Sequence, residues 1–156
     1  MPAPPPPSPP PPPTPPGVYP HRRYLAIDPG GKRTGLAVGD DLTGQAGPIG
    51  MIPSHDEATL MRGLRRAIEE HGPDELVLGV PYDMDGNAGP AAQRALAMGD
   101  RIEAETGLVV HRVDERLTSF AADEAMRQSG YTRKQKKQRR DALAAAAILR
   151  DFLATR

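Results

Sequence analysis

The stretch "ELVLGVP", residues 75 to 81, constrains the fold more than any other part of the chain. It is a short continuous apolar run without polar alternation, the pattern of a central strand buried on both faces. Such a strand needs helices above and below it, and two amphipathic stretches flank it. Upstream, Ser54 followed three residues later by Glu57 has the form of a capping box. Leu60, Leu64, Ala67 and Ile68 then share one helical face, and Gly72-Pro73 supply a stop. Downstream, after the loop "YDMDGNAGP", Ala95, Met98, Gly99 and Ile102 give a second helix its apolar side, and Gly107 gives its end.

The other strands are read around this one. Residues 22 to 28 form an apolar run ending at Asp28; Gly30-Gly31 supply a turn, and residues 34 to 39 resume extended structure, so the pair reads as a hairpin. "GPIGMIP", residues 47 to 53, is a weaker third strand because of its two glycines and two prolines. "LVVHRVDE", residues 108 to 115, is a last strand that again runs into acids. Thr118 or Ser119 caps a helix to about Gln128, a basic loop follows, and a terminal helix runs from about Asp141 to Leu153. The order β-β-β-α-β-α-β-α-α implies an α/β domain with a mixed sheet, its first strand beside the fourth and parallel to it. Sites in such sheets gather at the carboxyl ends of the parallel strands. Asp28 and Asp114-Glu115 stand at two such ends.

Composition bounds the rest. Thirteen of the nineteen prolines fall in residues 1 to 20, so this segment is expected as a disordered or polyproline II arm. It reads as a passive tail, or as translation from a misassigned start, before it reads as a ligand for an SH3-like module. Residues 21 to 156 are then a single domain. Zero cysteines exclude a disulfide framework and a thiolate zinc site, and fit a cytoplasmic protein. No apolar run approaches the roughly 20 residues that cross a bilayer. Lys and Arg number 20 and Asp and Glu 20, so overall charge does not advertise nucleic acid. "RKQKKQRR", residues 133 to 140, does so locally, with six basic residues and no acid.

Three carboxylates carry the chemistry. Asp28 ends a buried strand, where a charge needs a cation or hydrogen bonds. Asp114 and Glu115 are adjacent, so in a strand only one faces Asp28 and the other pairs locally, with Arg116 at hand. Asp141 opens "DALAAAAILRDFL", whose alanines allow the helix close to the sheet and bring this acid toward the strand ends. Three converging acids need a cation, and oxygen-only ligands suit Mg²⁺ or Mn²⁺, which support phosphodiester hydrolysis. His55, His71 and His111 read as structural or solvated. "GGKRTG" is not a P-loop, because its lysine precedes the second glycine and no Lys-Ser/Thr follows. The strand-Asp-turn opening of an actin-like ATPase would need a second lobe for which the chain has no room.

"DPGGKRTGLA", "LVLGVPYDMDG", "VDERLTS" and "DALAAAAILRDFL", in this order, resemble the YqgF family of pre-16S rRNA nucleases, also called Holliday-junction-resolvase-like proteins. The resemblance spans about residues 22 to 153. It implies a ribonuclease-H-like fold, a five-stranded mixed sheet of order 3-2-1-4-5 with helices on both faces, and metal-dependent cleavage of nucleic acid. The implied role is processing of the 5′ end of the 16S rRNA precursor, with action on branched DNA or non-catalytic RNA binding as the alternatives. Asp28, Glu115 and Asp141 match the three family acids. Asp28 and Asp141 would hold metal; Glu115 would complete its coordination or orient the attacking water, with Asp114 the less favoured candidate. Lys32, Arg33 and Arg116 would contact phosphate. Arg133, Lys134, Lys136, Lys137, Arg139 and Arg140 would grip the backbone, and Tyr131 would stack on a base. The implied partners are RNA ahead of structured DNA and a pre-ribosomal particle, with no membrane, for a monomer or homodimer. One departure stands out: junction resolvases of this superfold carry an acid at the end of the fourth strand, and here that strand ends "GVP".

Overall fold

The structure, a computed structural model, describes residues 2–10, 21–117 and 133–156, the side chains of 117 and 133–141 apart. The elements are β1 (Arg23–Pro29), β2 (Arg33–Asp40), β3 (Ala46–Pro53), α1 (Glu57–His71), β4 (Glu75–Val80), α2 (Pro90–Thr106) and β5 (Val110–Asp114). A single 3₁₀ turn (Glu115–Leu117) follows, and then α3 (Arg133–Ala154). The sheet order is β3-β2-β1-β4-β5. β1 is antiparallel to β2 and parallel to β4, which is parallel to β5. This is the mixed sheet expected from the sequence. β4 is buried along its whole length, as its unbroken apolar run requires.

Period-two alternation assigns the faces. Leu25, Ile27, Leu36, Leu76 and Leu78 pack with Leu60, Leu64 and Ile102 of α1 and α2. Tyr24, Ala26, Ala37 and Val77 pack with Ala145, Ala146, Ile148 and Leu149 of α3 on the other side. Phe152 of α3 meets Tyr24 edge-on at 5.3 Å between centroids, at the amino end of β1. The C-terminal end of α3 therefore lies at the amino ends of the strands, and its earlier turns lie toward their carboxyl ends.

Two local expectations are corrected. Asp56, not Ser54, caps α1: its Oδ1 accepts the Thr59 N–H at 2.8 Å. Ser54 is committed elsewhere, its hydroxyl donating to Gly30 O at 3.0 Å and its N–H to Lys32 O at 2.9 Å. These bonds tie the start of α1 to the β1–β2 turn. The basic stretch is not a loop. α3 begins at Arg133, because Lys, Arg and Gln are good helix formers and neither glycine nor proline interrupts residues 133 to 154. Gly72 and Gly107 end α1 and α2 in the left-handed conformation, at φ 58° and 72°. Residues 2–10 carry neither helix nor strand and are exposed. The helix expected from Thr118 or Ser119 to Gln128 lies outside the described residues, as does Tyr131. Among the described residues no helix is long and apolar enough to cross a membrane.

Candidate active site

On β1 the alternation that puts Tyr24 and Ala26 against α3 also puts Asp28 on that face, at the carboxyl end of the strand. On β4, Val77 and Gly79 follow the same rule. A Cβ placed on Gly79 would lie 2.6 Å from Ile148 Cδ1, 3.1 Å from Glu115 Oε2 and 3.6 Å from Asp28 Oδ1. Two carboxylates from different strand ends therefore converge over one glycine, with Ile148 of α3 closing the third side. The Oε2 atom of Glu115 is buried there. The glycine of "GVP" thus has a steric reason: a side chain at position 79 would occupy the space between the acids. The carboxylate near the end of β4 comes instead from Glu115.

The adjacent acids separate as the chain leaves the sheet. Asp114 is the last residue of β5 and Glu115 the first of the 3₁₀ turn, so the expected strand ends one residue early. Arg116 wraps Asp114, its Nε lying 3.0 and 2.9 Å from the two carboxylate oxygens and its Nη2 2.5 Å from Oδ2. The Arg116 hydrogen bonds hold the Asp114 carboxyl below its ordinary value. Arg116 also donates to Asp83 O at 3.1 Å, so it braces the end of β5 against the β4–α2 loop. Asp114 is turned into this brace, and Glu115 toward Asp28.

Position 141 lies in α3 on the stripe of Ala145 and Ile148, three to four residues apart, and toward the carboxyl ends of the strands. Its side chain lies outside the described ones, as do those of Arg133, Lys134, Lys136, Lys137, Arg139 and Arg140. Their backbone forms the two N-terminal turns of α3, leading directly to position 141. Lys32 and Arg33 stand in and beside the turn that follows Asp28. That turn is tight: a Cβ on Gly30 would sit 2.3 Å from Arg33 O. Among the described residues no group of three acids or histidines is placed to hold a metal ion. The histidines lie elsewhere. His55 pairs with Asp56 at 3.0 Å, and His111 with Glu75 at 3.0 Å near the amino end of β4. Burial pushes the Glu75 carboxyl up, but the His111 hydrogen bond and the Arg22 charge together outweigh it and leave it below its ordinary value.

A family profile described as "RuvX: Holliday junction resolvase" matches residues 22–155. The chain belongs to the RuvX family. Relatives of this RuvX member carry the name "Putative pre-16S rRNA nuclease". One, from Lactobacillus delbrueckii subsp. bulgaricus, is 37% identical over 135 residues, which span 84% of this chain and 95% of the relative. Another, from Moorella thermoacetica, is 34% identical over 131 residues, 84% and 94% of the two chains. Among solved structures, the fowlpox virus Holliday junction resolvase superposes with a TM-score of 0.56 at 14% identity, covering 86% of this chain and 99% of that one. At that identity the likeness is one of fold, and the RuvX member shares the ribonuclease-H-like architecture. Arg94, an ordinary helix position in the sequence, lines a cavity on the opposite face of the sheet. An arginine on a helix carries no local signal of that kind.

Proposed function

We propose that this RuvX-family chain is a divalent-metal-dependent nuclease that hydrolyses nucleic-acid phosphodiesters, with the 5′ end of the 16S rRNA precursor as its substrate. The observation that carries the reading is the convergence of Asp28 and Glu115 over Gly79 at the carboxyl ends of β1 and β5. Two carboxylates held together in a partly buried site repel, and a hard cation offsets that repulsion. The donor set is oxygen, and the glycine lets the two carboxylates approach each other over the strand, so the residues fit Mg²⁺ or Mn²⁺.

Asp28 and Asp141 are the metal-holding acids of this proposal, and Glu115 completes the set or orients water. The metal, when bound, lowers the pKa of a bound water and offsets charge on the leaving oxygen. The chain's own residues then position the substrate. Lys32 and Arg33 offer cations past the turn, and the basic turns of α3, from Arg133 to Arg140, follow the phosphate backbone. Arg116, already spent on Asp114 and Asp83 O, shapes the rim rather than reaching out for phosphate. Pre-ribosomal RNA as partner, Tyr131 as a stacking platform, a cytoplasmic location and a monomeric or dimeric state belong to the same proposal.

A second reading, cleavage of four-way DNA junctions, is favoured by the family description and by the resolvase fold neighbour. A cleavage panel separates the two. Single-stranded RNA, duplex RNA and four-way DNA junctions are incubated with Mg²⁺ or Mn²⁺ and with wild-type or Asp28→Asn protein. Metal-dependent cleavage of RNA, lost in the variant, is the expected result. Cleavage confined to junctions would replace the RNA reading. Cleavage of RNA that survives both Asp28→Asn and Asp141→Asn would remove the acids from the chemistry.

A further inference from the structure

The loop that leaves β4 is built from both ends inward. Tyr82 and Ala88, near its two ends, pack against the buried side chains of Val80, Ala92 and Ala95. Between them the Gly86 N–H donates to Asp83 O at 2.9 Å, closing a tight turn with Met84 and Asp85 at its tip. The Asp83 carboxylate fixes this turn from inside, its Oδ1 accepting the Asp85 and Asn87 N–H groups at 3.1 and 2.8 Å. Gly86, at φ 83°, takes a left-handed backbone conformation that suits glycine. The turn is also pinned to the site. Arg116, the residue after Glu115, donates to Asp83 O at 3.1 Å and to Met84 O at 3.5 Å.

One side chain has no share in this construction. Met84 is 95% exposed and belongs to none of the apolar clusters of the described residues. Leu42 and Val109, the next most exposed large hydrophobics, stand at the amino ends of β1 and β5, away from the acids. Met84 stands at the carboxyl ends. A lone exposed apolar residue is ordinary on a protein surface; one held on a fixed turn at the rim of the acid pair lies where a strand bound for cleavage passes. Its neighbours decide which part of that strand it meets. Asp83 and Asp85 flank it and are exposed, so like charge keeps phosphate away from the tip. The uncharged part of a nucleic-acid strand is the base, and methionine sulfur packs favourably on aromatic rings.

We propose that Met84 is a substrate contact: its side chain packs on one unpaired base of the RNA strand whose backbone lies at Asp28 and Glu115, and so sets the strand's register for cleavage. This contact rests on the nuclease reading and adds to it a residue that meets a base rather than the charge of the backbone. The base must be unpaired, because a duplex buries ring faces in its own stack and leaves none for a methionine to cover. Single-stranded RNA is therefore the form of substrate that the turn fits.

The test is a cleavage series with Mn²⁺. A short single-stranded RNA is prepared unmodified and with one abasic nucleotide at each position in turn, and is given to wild type, Met84→Ser and Met84→Leu. Met84→Ser should raise KM for the unmodified RNA about threefold to tenfold, with kcat and melting temperature little changed. Met84→Leu, which keeps the apolar surface, should stay close to wild type. At one position the abasic RNA should impose the same rise in KM on wild type and no further rise on Met84→Ser, which has no contact left to lose. A Met84→Ser KM equal to that of wild type, or abasic penalties equal in the two proteins at every position, overturns the proposal. A fall in melting temperature that accounts for the loss makes Met84 a packing residue and overturns it too. Asp28→Asn, run in parallel, separates the two readings. Cleavage that is lost in Asp28→Asn but indifferent to Met84→Ser removes the Met84 contact and leaves the nuclease reading standing; no cleavage of any RNA by wild type removes the RNA reading and the contact with it.

Discussion

The two faces of the sheet are packed by opposite devices. Toward α1 and α2 the strands supply the bulk and the helices the hollows. A Cβ on Gly63 of α1 would lie 2.5 Å from Ile52, and one on Gly99 of α2 would lie 2.9 Å from Leu78. Toward α3 the roles reverse. Ile148 presses on Gly79 of β4, and a Cβ on Gly39 of β2 would lie 2.4 Å from Gln45 O and 3.1 Å from Leu149. The β2 segment "GLAVG" shows both devices in alternation, with Gly35, Ala37 and Gly39 toward α3 and Leu36 and Val38 toward α1 and α2. Where the strands carry the hollows, the side chains of α3 and the acids come down close to the strand backbone. Asp28 and Glu115 converge there over Gly79. The acid pair and the leucine-rich core thus stand on opposite sides of one sheet.

The division can be broken from either side. The largest effect is expected at the acid pair itself. Asp28→Asn should reduce metal-dependent cleavage on the order of a thousandfold, while the urea midpoint stays equal or rises as carboxylate repulsion is relieved. A variant that loses cleavage only in proportion to lost folding would remove Asp28 from the chemistry. Next comes the leucine-rich face. Leu78→Ala deletes a fully buried side chain and should cost ~2–5 kcal/mol of stability. The fraction that remains folded should cleave at the wild-type rate, measured as activity per folded molecule.

Gly79→Ala probes both devices at once. Its Cβ would crowd Ile148 and stand 3.1 Å from Glu115 Oε2. Overpacking of this kind costs about 1–3 kcal/mol, and cleavage should fall further than the loss of folded protein explains. If activity instead tracks folding alone, the space above Gly79 is packing and not a site. The smallest effect is expected at the brace. Arg116 holds Asp114 below its ordinary value of 3.8. Its contribution to stability is then fully present above that value and is lost as pH falls through the lowered folded value. Asp114→Asn should flatten the stability profile below about pH 4 and leave it parallel to wild type near neutrality. Urea midpoints taken across that range measure it.

Much of this was legible before any coordinates. The unbroken run of β4, the hairpin around Gly30-Gly31 and the stops at Gly72 and Gly107 are local signals. Each rests on a preference that neighbouring residues settle among themselves. The pairing of the first strand with the fourth follows from a hairpin joined to crossovers, and the full strand order is what the family resemblance implies. The misreadings fall where two local options were close in energy. Ser54 and Asp56 are both good caps, and a hydrogen bond to Gly30, distant in sequence, withdrew Ser54. The basic stretch has good helix formers and strong self-repulsion. The propensity prevailed, with the buried alanines and leucines of α3 anchoring the helix that it extends.

The chain's own order of residues establishes the strands, the two helix faces and the candidacy of Asp28, Asp114, Glu115 and Asp141, because periodicity and punctuation are local properties. The resemblance already favours Glu115 over Asp114, and tertiary structure shows how the two part. β5 ends at Asp114, the 3₁₀ turn swings Glu115 over Gly79, and Arg116 takes Asp114 into the brace with the β4–α2 loop. It also withdrew Ser54 from the α1 cap to the β1–β2 turn. Both outcomes depend on groups brought together from separate strands and helices, at distances that no stretch of sequence contains.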